Sequence, residues 1–153
     1  MKFNNVNGIW FFGLSGVGKS YASNLVFKRK TNSIIIDGDE VRKYISTDLD
    51  YSLQSRNIQI KRIYGLAKIA VKSQIYPIIS SVWMHNELAK KLYEDKIRLI
   101  QVDADMKQIF AEHNTYKNQT NVVGKDIKYG EIECTKITNK RNLEFWKTLE
   151  KLI

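Results

Sequence analysis

Gly13-Leu14-Ser15-Gly16-Val17-Gly18-Lys19-Ser20 is the stretch on which the fold turns. It matches G-x-x-x-x-G-K-[ST] and lies between a short apolar run at residues 9–12 and a segment able to form a helix. That context predicts a strand, a phosphate-binding loop and a helix in succession. The loop needs glycine because backbone N–H groups must wrap around a phosphate, in conformations and at approach distances that a side chain blocks. Gly13, Ser15, Gly16 and Gly18 are therefore assigned to a nucleoside triphosphate, with Lys19 reaching its β- and γ-phosphates. The Ser20 hydroxyl is assigned to Mg²⁺, and the N-terminus of the following helix favours the negative charge.

Three further apolar runs, rich in β-branched and aromatic residues, occupy 33–36, 76–82 and 97–102, each followed by a segment that reads as helix. The alternation predicts βαβ units with right-handed crossovers. It gives an α/β fold in which helices cover both faces of a parallel sheet, a three-layer α/β/α arrangement. Residues 53–74 fit an amphipathic helix, with Ile58, Leu66, Ile69 and Ala70 as its apolar side and Arg56, Lys61, Arg62, Lys68 and Lys72 elsewhere. Residues 114–128 are polar, contain Gly124 and lack a clear period, the pattern of a lid over a site. Beyond Asn139, Leu143, Trp146, Leu149 and Ile153 recur at three- to four-residue spacing and predict a closing helix.

Asp37-Gly38-Asp39 follows the second strand, with Arg42 about one helical turn further on. Strand ends are where parallel-sheet proteins carry their chemistry. Two carboxylates beside a phosphate site divide the work: one holds Mg²⁺ through water, the other accepts a proton from an attacking hydroxyl. The competing reading is a turn in which Asp39 caps the next helix.

The 153 residues suit one domain, 1–153, on a scale of roughly 150 residues per domain. A composition of 43% hydrophobic and 27% charged residues excludes a disordered, collagenous or disulfide-knotted chain. Against 16 Asp and Glu stand 25 Lys and Arg, and the net charge of +9 favours an anionic partner without choosing among nucleotide, nucleic acid and membrane surface. The one cysteine, Cys134, suits a reducing compartment. The apolar stretch 8–14 lacks the flanks of a signal peptide, and nothing approaches the ~18 apolar residues of a membrane span. A cytoplasmic soluble protein with no membrane partner is expected. His85 and His113 have no partner at metal-ligand spacing and are expected in surface or core roles. Lys28-Arg29-Lys30 is expected to end a helix and suit its dipole.

Three collinear segments go further: Asp37-Gly38-Asp39-Glu40-Val41-Arg42, Asp48-Leu49-Asp50-Tyr51-Ser52, and then Arg56. They are similar to the D-G-D-N-V-R, the D-L-G-F-S and the following arginine of the adenylylsulfate (APS) kinase family, which the sequence resembles over roughly residues 8–127. Members of that family transfer the γ-phosphate of ATP to the 3′-hydroxyl of a nucleotide. The resemblance implies a P-loop kinase fold, ATP as co-substrate held by the 13–20 loop, Mg²⁺ as cofactor, a nucleotide acceptor and a homodimer. By it, Asp37 and Asp39 serve metal and acceptor hydroxyl, Arg42 and Arg56 bind the acceptor's anionic group, and Tyr51 lies against its base. Val102-Asp103-Ala104 also resembles the family's strand end before the lid.

The departures concern the acceptor. Gln59 stands where the family has asparagine, and Ser81-Val82-Trp83-Met84-His85-Asn86 replaces F-I-S-P-Y-R. Val122-Val123-Gly124 replaces a G-F-T-G-like stretch, so the phenylalanine that clamps one face of adenine is missing, at a stacking cost of ~1–3 kcal/mol. There is no arginine between Arg98 and Arg141, which leaves Lys117, Lys125 and Lys128 as lid cations, and Lys125 is assigned to the acceptor. A relative of the family, cytidine diphosphoramidate kinase, phosphorylates a smaller pyrimidine nucleotide in capsular-polysaccharide modification. Trp83 would fill the vacated volume, unless it is simply packed in the core. Cytidine diphosphoramidate is thus the first expectation for the acceptor and adenylylsulfate the alternative. A basic nucleic-acid-binding module switched by ATP is motivated by charge alone. No RNA motif, zinc spacing or recognition-helix pattern accompanies it, and nucleic acid is not expected as a partner.

Overall fold

Ile9 and Phe11 point to one side of the first strand and Trp10 and Phe12 to the other, and all four are fully buried. A strand with two apolar faces belongs in the middle of a sheet covered on both sides. In the computed structural model, which describes residues 5–128 and 130–153, this strand, β1 (Gly8–Phe12), is the central one. Residues 1–4 and 129 of the expected 1–153 unit lie outside the described residues.

Around β1 the chain forms α1 (Lys19–Phe27), β2 (Ser33–Asp37), α2 (Gly38–Tyr44), α3 (Leu53–Lys72), β3 (Tyr76–Ser81), α4 (Asn86–Glu94) and β4 (Ile97–Ala104). It continues through α5 (Met106–Glu112), α6 (Thr115–Asn118), β5 (Thr135–Asn139) and α7 (Leu143–Glu150). The strand order is β2-β3-β1-β4-β5, every pairing parallel. Trp10, Phe12 and Ile79 pack with Ile60 and Ile63 of α3 and Leu88 and Leu92 of α4 on one face. Ile9, Phe11 and Ile100 pack with Ala22 and Val26 of α1 and Phe145 and Leu149 of α7 on the other. Each such side chain contributes roughly 1.5–3 kcal/mol relative to exposure, so the three-layer α/β/α expectation holds with a substantial core on both faces.

Three details differ from the sequence reading. The fifth strand, β5, was not expected, because an edge strand buries one face at most: its pattern Thr-Lys-Ile-Thr-Asn hides only Ile137. On α3 the buried side is Arg56, Gln59, Ile60, Ile63, Ala67 and Ala70, while Ile58 and Ile69 are exposed. The helix is thus rotated so that two polar residues enter the interior at the end nearest the strand carboxyl termini. On α7 Phe145 and Leu149 face the core and Leu143 lies in solvent. Among the described residues, no helix is long and apolar enough to cross a membrane.

Candidate active site

The carboxyl ends of β1, β2 and β3 open into one cavity of about 630 Å³. Strand order reverses around β1, the position where open parallel sheets bind ligands. Gly13 leaves β1 with φ of +152°, and a Cβ there would meet the Val102 carbonyl oxygen at 2.2 Å, so only glycine lets the loop turn against β4. Gly16 and Gly18 also have positive φ, +85° and +100°. Gly18 is the N-cap of α1, with no side-chain cap bond and no acidic residue in the first turn. The helix therefore presents its N–H groups and dipole to the cavity with no capping side chain of its own in front of them.

Lys19 opens α1, and its Nζ donates to the Leu14 carbonyl at 2.8 Å, across its own loop. Burial is the main influence on its ammonium and lowers the pKa to about 8, against the pull of Asp39 and then Asp37. The Ser20 hydroxyl donates to Asp37 Oδ2 at 3.2 Å, and the Ser80 hydroxyl donates to the same oxygen at 2.5 Å. Asp37 Oδ1 accepts from the Asp39 N–H at 2.9 Å and is the N-cap of α2. The cap is thus Asp37, not Asp39. One carboxylate ties together the end of β2, the start of α2, β3 and the phosphate loop. Asp39, one step into α2, lines the cavity near Lys19.

The opposite wall is basic. The Arg42 guanidinium lies 4.6 Å from the centre of the Tyr51 ring and donates to the Asp50 carbonyl at 2.6 Å. Arg56, buried on α3, donates from Nε to the Tyr51 carbonyl at 3.1 Å and from Nη2 to the Asn121 carbonyl at 2.7 Å. Burial, and then the like charge of Arg42, lower its pKa. Gln59 Nε2 donates to the Gly38 carbonyl at 2.9 Å, while its Oε1 is buried with no partner among the described residues. Trp83 lines the cavity, but its Nε1 donates to Asn57 Oδ1 at 2.8 Å and its ring packs on the core cluster beneath.

From the stretch 114–128, Thr115, Gln119, Thr120, Val122 and Val123 line the cavity, and part of the stretch is packed structure. Val122 and Val123 are buried, Tyr116 donates its hydroxyl to the Ser15 carbonyl at 3.1 Å, and Val122 packs with Ile109 and Tyr116. The assigned side chain of Lys125 is directed elsewhere. Its Nζ donates to the Tyr116 carbonyl at 3.3 Å, and it is not part of the cavity wall.

Two residues of the site were missed in the sequence. The Asn139 carboxamide, at the end of the unexpected β5, donates to the Val17 carbonyl at 3.0 Å and braces the phosphate loop. Nothing in the sequence marks Asn139 once β5 goes unread. His113, to which no ligand was assigned, lines the cavity, whereas His85 caps α4 by accepting from the Leu88 N–H. Among the described residues, no cluster of His, Cys, Asp and Glu suits a metal held by protein alone.

Comparison with known proteins agrees with this arrangement. The family model for adenylylsulphate kinase matches residues 6–133. An adenylyl-sulfate kinase of Buchnera aphidicola subsp. Schizaphis graminum is 34% identical over 103 residues, 63% of this chain and 49% of that one. One from Thermodesulfovibrio yellowstonii is 31% identical over 133 residues, 82% of this chain and 64% of that one. The chain thus spans about half to two thirds of the length of these relatives. A Mycobacterium tuberculosis APS kinase, solved in complex with AMPPNP and APS, superposes with a TM-score of 0.79 over 96% of both chains at 21% identity, a likeness of fold.

Proposed function

Because the chain belongs to the adenylylsulphate kinase family, we propose that it transfers the γ-phosphate of ATP to the 3′-hydroxyl of adenylylsulfate, giving 3′-phosphoadenylylsulfate and ADP. The observation that carries this reading is a single cavity with the phosphate loop on one wall and Asp39, Arg42 and Arg56 on the other. The two walls hold two anionic nucleotides facing each other, with a carboxylate between.

Gly13, Ser15, Gly16 and Gly18 shape the loop, and Lys19 neutralises charge that builds toward the leaving oxygen. Ser20 and Asp37 supply hard oxygen donors 3.2 Å apart, which fits Mg²⁺ with water filling the remaining positions. The ion, when bound, neutralises the β- and γ-phosphate oxygens. The two carboxylates differ in their engagements. Asp37 accepts from Ser20, Ser80 and the Asp39 N–H, so its orientation is set. That favours Asp39 as proton acceptor: the acceptor's O–H proton passes to Asp39, a bond forms from the 3′-oxygen to Pγ, and the bond from Pγ to the bridging oxygen of ADP breaks. Arg42 and Arg56 bind the acceptor's phosphosulfate, and Tyr51 and Gln59 line its nucleoside.

Adenylylsulfate replaces cytidine diphosphoramidate as the preferred acceptor. The relatives named above are adenylyl-sulfate kinases, and the indole expected to fill a pyrimidine pocket is held by Asn57 against the core. A homodimer belongs to the same proposal. Ile58, Gly65 and Ile69 lie within about 40° of one another around α3, Ile58 and Ile69 are exposed, and the Cβ direction of Gly65 is open. Light scattering that reports a monomer at micromolar concentration removes the dimer.

The reaction is tested by incubating the protein with ATP, Mg²⁺ and adenylylsulfate and following product by mass. Formation of 3′-phosphoadenylylsulfate in step with ADP is expected. ADP release without that product overturns the acceptor.

A further inference from the structure

We propose that His113 is a phosphate-contacting residue: its imidazole, at the approach to the lid, closes the phosphate loop from above and donates from Nε2 to the polyphosphate of ATP. The ring lines the cavity and lies against Gly16, so that a Cβ on that glycine would come within 2.7 Å of His113 Cδ2 and 3.4 Å of its Nε2. Gly16 belongs to the backbone cradle itself, and whatever touches it from the cavity side stands beside the bound phosphates. The contact also gives Gly16 a reason to lack a side chain beyond its φ of +85°: any larger residue displaces the ring.

The chemistry of the ring points the same way. His113 Nδ1 is buried with no hydrogen-bond partner among the described residues. An empty buried donor is rarer than an empty buried acceptor, which favours the tautomer that carries its N–H on Nε2 and a bare lone pair on Nδ1. That tautomer leaves Nε2, 3.4 Å from the position a Gly16 Cβ would take, as the ring's N–H donor on the cavity side.

The lid has few alternatives. The sequence holds no arginine between Arg98 and Arg141, and Lys125 is turned to the Tyr116 carbonyl. Of the side chains that line the cavity from this segment, among them Thr115, Gln119, Thr120 and Val122, His113 is the one basic group. Its position is set by the chain on both sides: its N–H donates to the Ile109 carbonyl, the Tyr116 N–H donates to its carbonyl, and its ring meets Tyr116 edge-on with centroids 6.0 Å apart. Tyr116 in turn holds the Ser15 carbonyl, so ring and loop are anchored to each other.

The inference rests on the kinase reading only in that ATP occupies the loop, and direct binding measurements separate the two. Equilibrium titrations with Mg·ATP and with AMP are run on the protein, on His113→Ala, on His113→Gln, whose amide nitrogen takes the place of Nε2, and on Lys19→Ala as the reference for loss of a phosphate contact. The expected result is a roughly tenfold weaker Kd for ATP in His113→Ala, about 1.4 kcal/mol. The Kd for AMP stays unchanged, and most of the ATP affinity returns in His113→Gln. Unchanged ATP affinity in His113→Ala, while Lys19→Ala weakens it, overturns the inference, as does equal weakening for ATP and AMP, the mark of a structural role. Thermal melts verify that each variant is folded, and His113→Leu, which keeps bulk but has no donor and is expected to weaken ATP binding as alanine does, carries the comparison if alanine is not. A protein that gives the expected pattern yet forms no 3′-phosphoadenylylsulfate refutes the acceptor and leaves the His113 contact standing.

Discussion

The ammonium of Lys19 donates to the carbonyl of Leu14 at 2.8 Å, inside the loop that its charge is meant to serve. ATP must therefore exchange this bond for one to its own phosphate, and the lysine must be charged when it does. Burial lowers its pKa to about 8. The free enzyme's kcat/KM for ATP is accordingly expected to fall on the alkaline side with an apparent pKa of about 8, because the neutral amine no longer attracts the polyphosphate. The limb should move upward or vanish in Lys19→Arg, whose charge persists. An alkaline limb unchanged in that variant assigns it to another group.

The same shift has a consequence for stability. The folded-state pKa lies below the unfolded value of 10.5, so the buried charge costs stability in full below about 8, and the cost disappears as pH rises from there to 10.5. Lys19→Met is expected to gain on the order of 1–3 kcal/mol at pH 7 while losing turnover, with the gain gone near pH 10.5. Thermal melts at the two pH values measure it, and a destabilised variant at pH 7 contradicts the burial argument.

Asp37 and Asp39 stand two residues apart but differ in their hydrogen bonds, and the proposed roles differ with them. Asp39→Asn should lower kcat by at least about a hundredfold, the scale of a lost general base, with the Mg²⁺ requirement unchanged. Asp37→Asn should raise the Mg²⁺ concentration needed for half-maximal rate and leave stability nearly intact, since asparagine also caps helices. Asp37→Ala should in addition lose about 1 kcal/mol through the α2 cap. Metal titrations and melts on the three variants separate these outcomes, and reversal of the two asparagine results exchanges the assignments.

What the sequence disclosed follows from how local each feature is. The phosphate loop was legible because its geometry is set within eight consecutive residues, and β1 because a doubly buried strand is apolar throughout. Asp37 and Asp39 were legible as a pair, but their division of labour was not. It depends on Ser20 and Ser80, which reach Asp37 from two other elements. Edge strand β5 and the Asn139 brace were hidden because pairing along one edge imposes almost no pattern on composition. Periodicity set Arg56 off the apolar side of its helix, and only the family resemblance gave it to the acceptor; it is buried because the Tyr51 carbonyl and, 65 residues on, the Asn121 carbonyl satisfy its donors. Periodicity records which residues are apolar and cannot see a polar side chain that the fold has partnered.

Arg56 links Tyr51, on the acceptor wall, to Asn121 in the lid. Arg56→Ala strands two carbonyl acceptors and is expected to cost roughly 1–3 kcal/mol, to raise KM for the acceptor tenfold or more, and to leave KM for ATP within about threefold. Cleavage within residues 119–128 by a nonspecific protease should also accelerate. Equal changes in both KM values indicate that the residue supports the whole fold and not the acceptor side.

Acceptor choice is the remaining point on which residues and family pull apart. Val122 takes away one stacking face for adenine, and this alone favours a smaller base. Two observations oppose it. Tyr51 still lines the cavity as an aromatic face, and it is stiffened by Arg42 at 4.6 Å and by Arg56 through its carbonyl. Trp83 is fastened to Asn57 at 2.8 Å and packed on the core, so moving its indole into the pocket breaks a hydrogen bond and opens space beneath. Adenylylsulfate is therefore expected to exceed cytidine diphosphoramidate in kcat/KM by at least tenfold, about 1.4 kcal/mol in transition-state binding. Trp83→Phe, which gives up the Asn57 bond and some volume, should lower both rates without reversing their order. Competition of the two acceptors in one reaction with ATP and Mg²⁺ reads the ratio directly, and a cytidine preference restores the pyrimidine pocket.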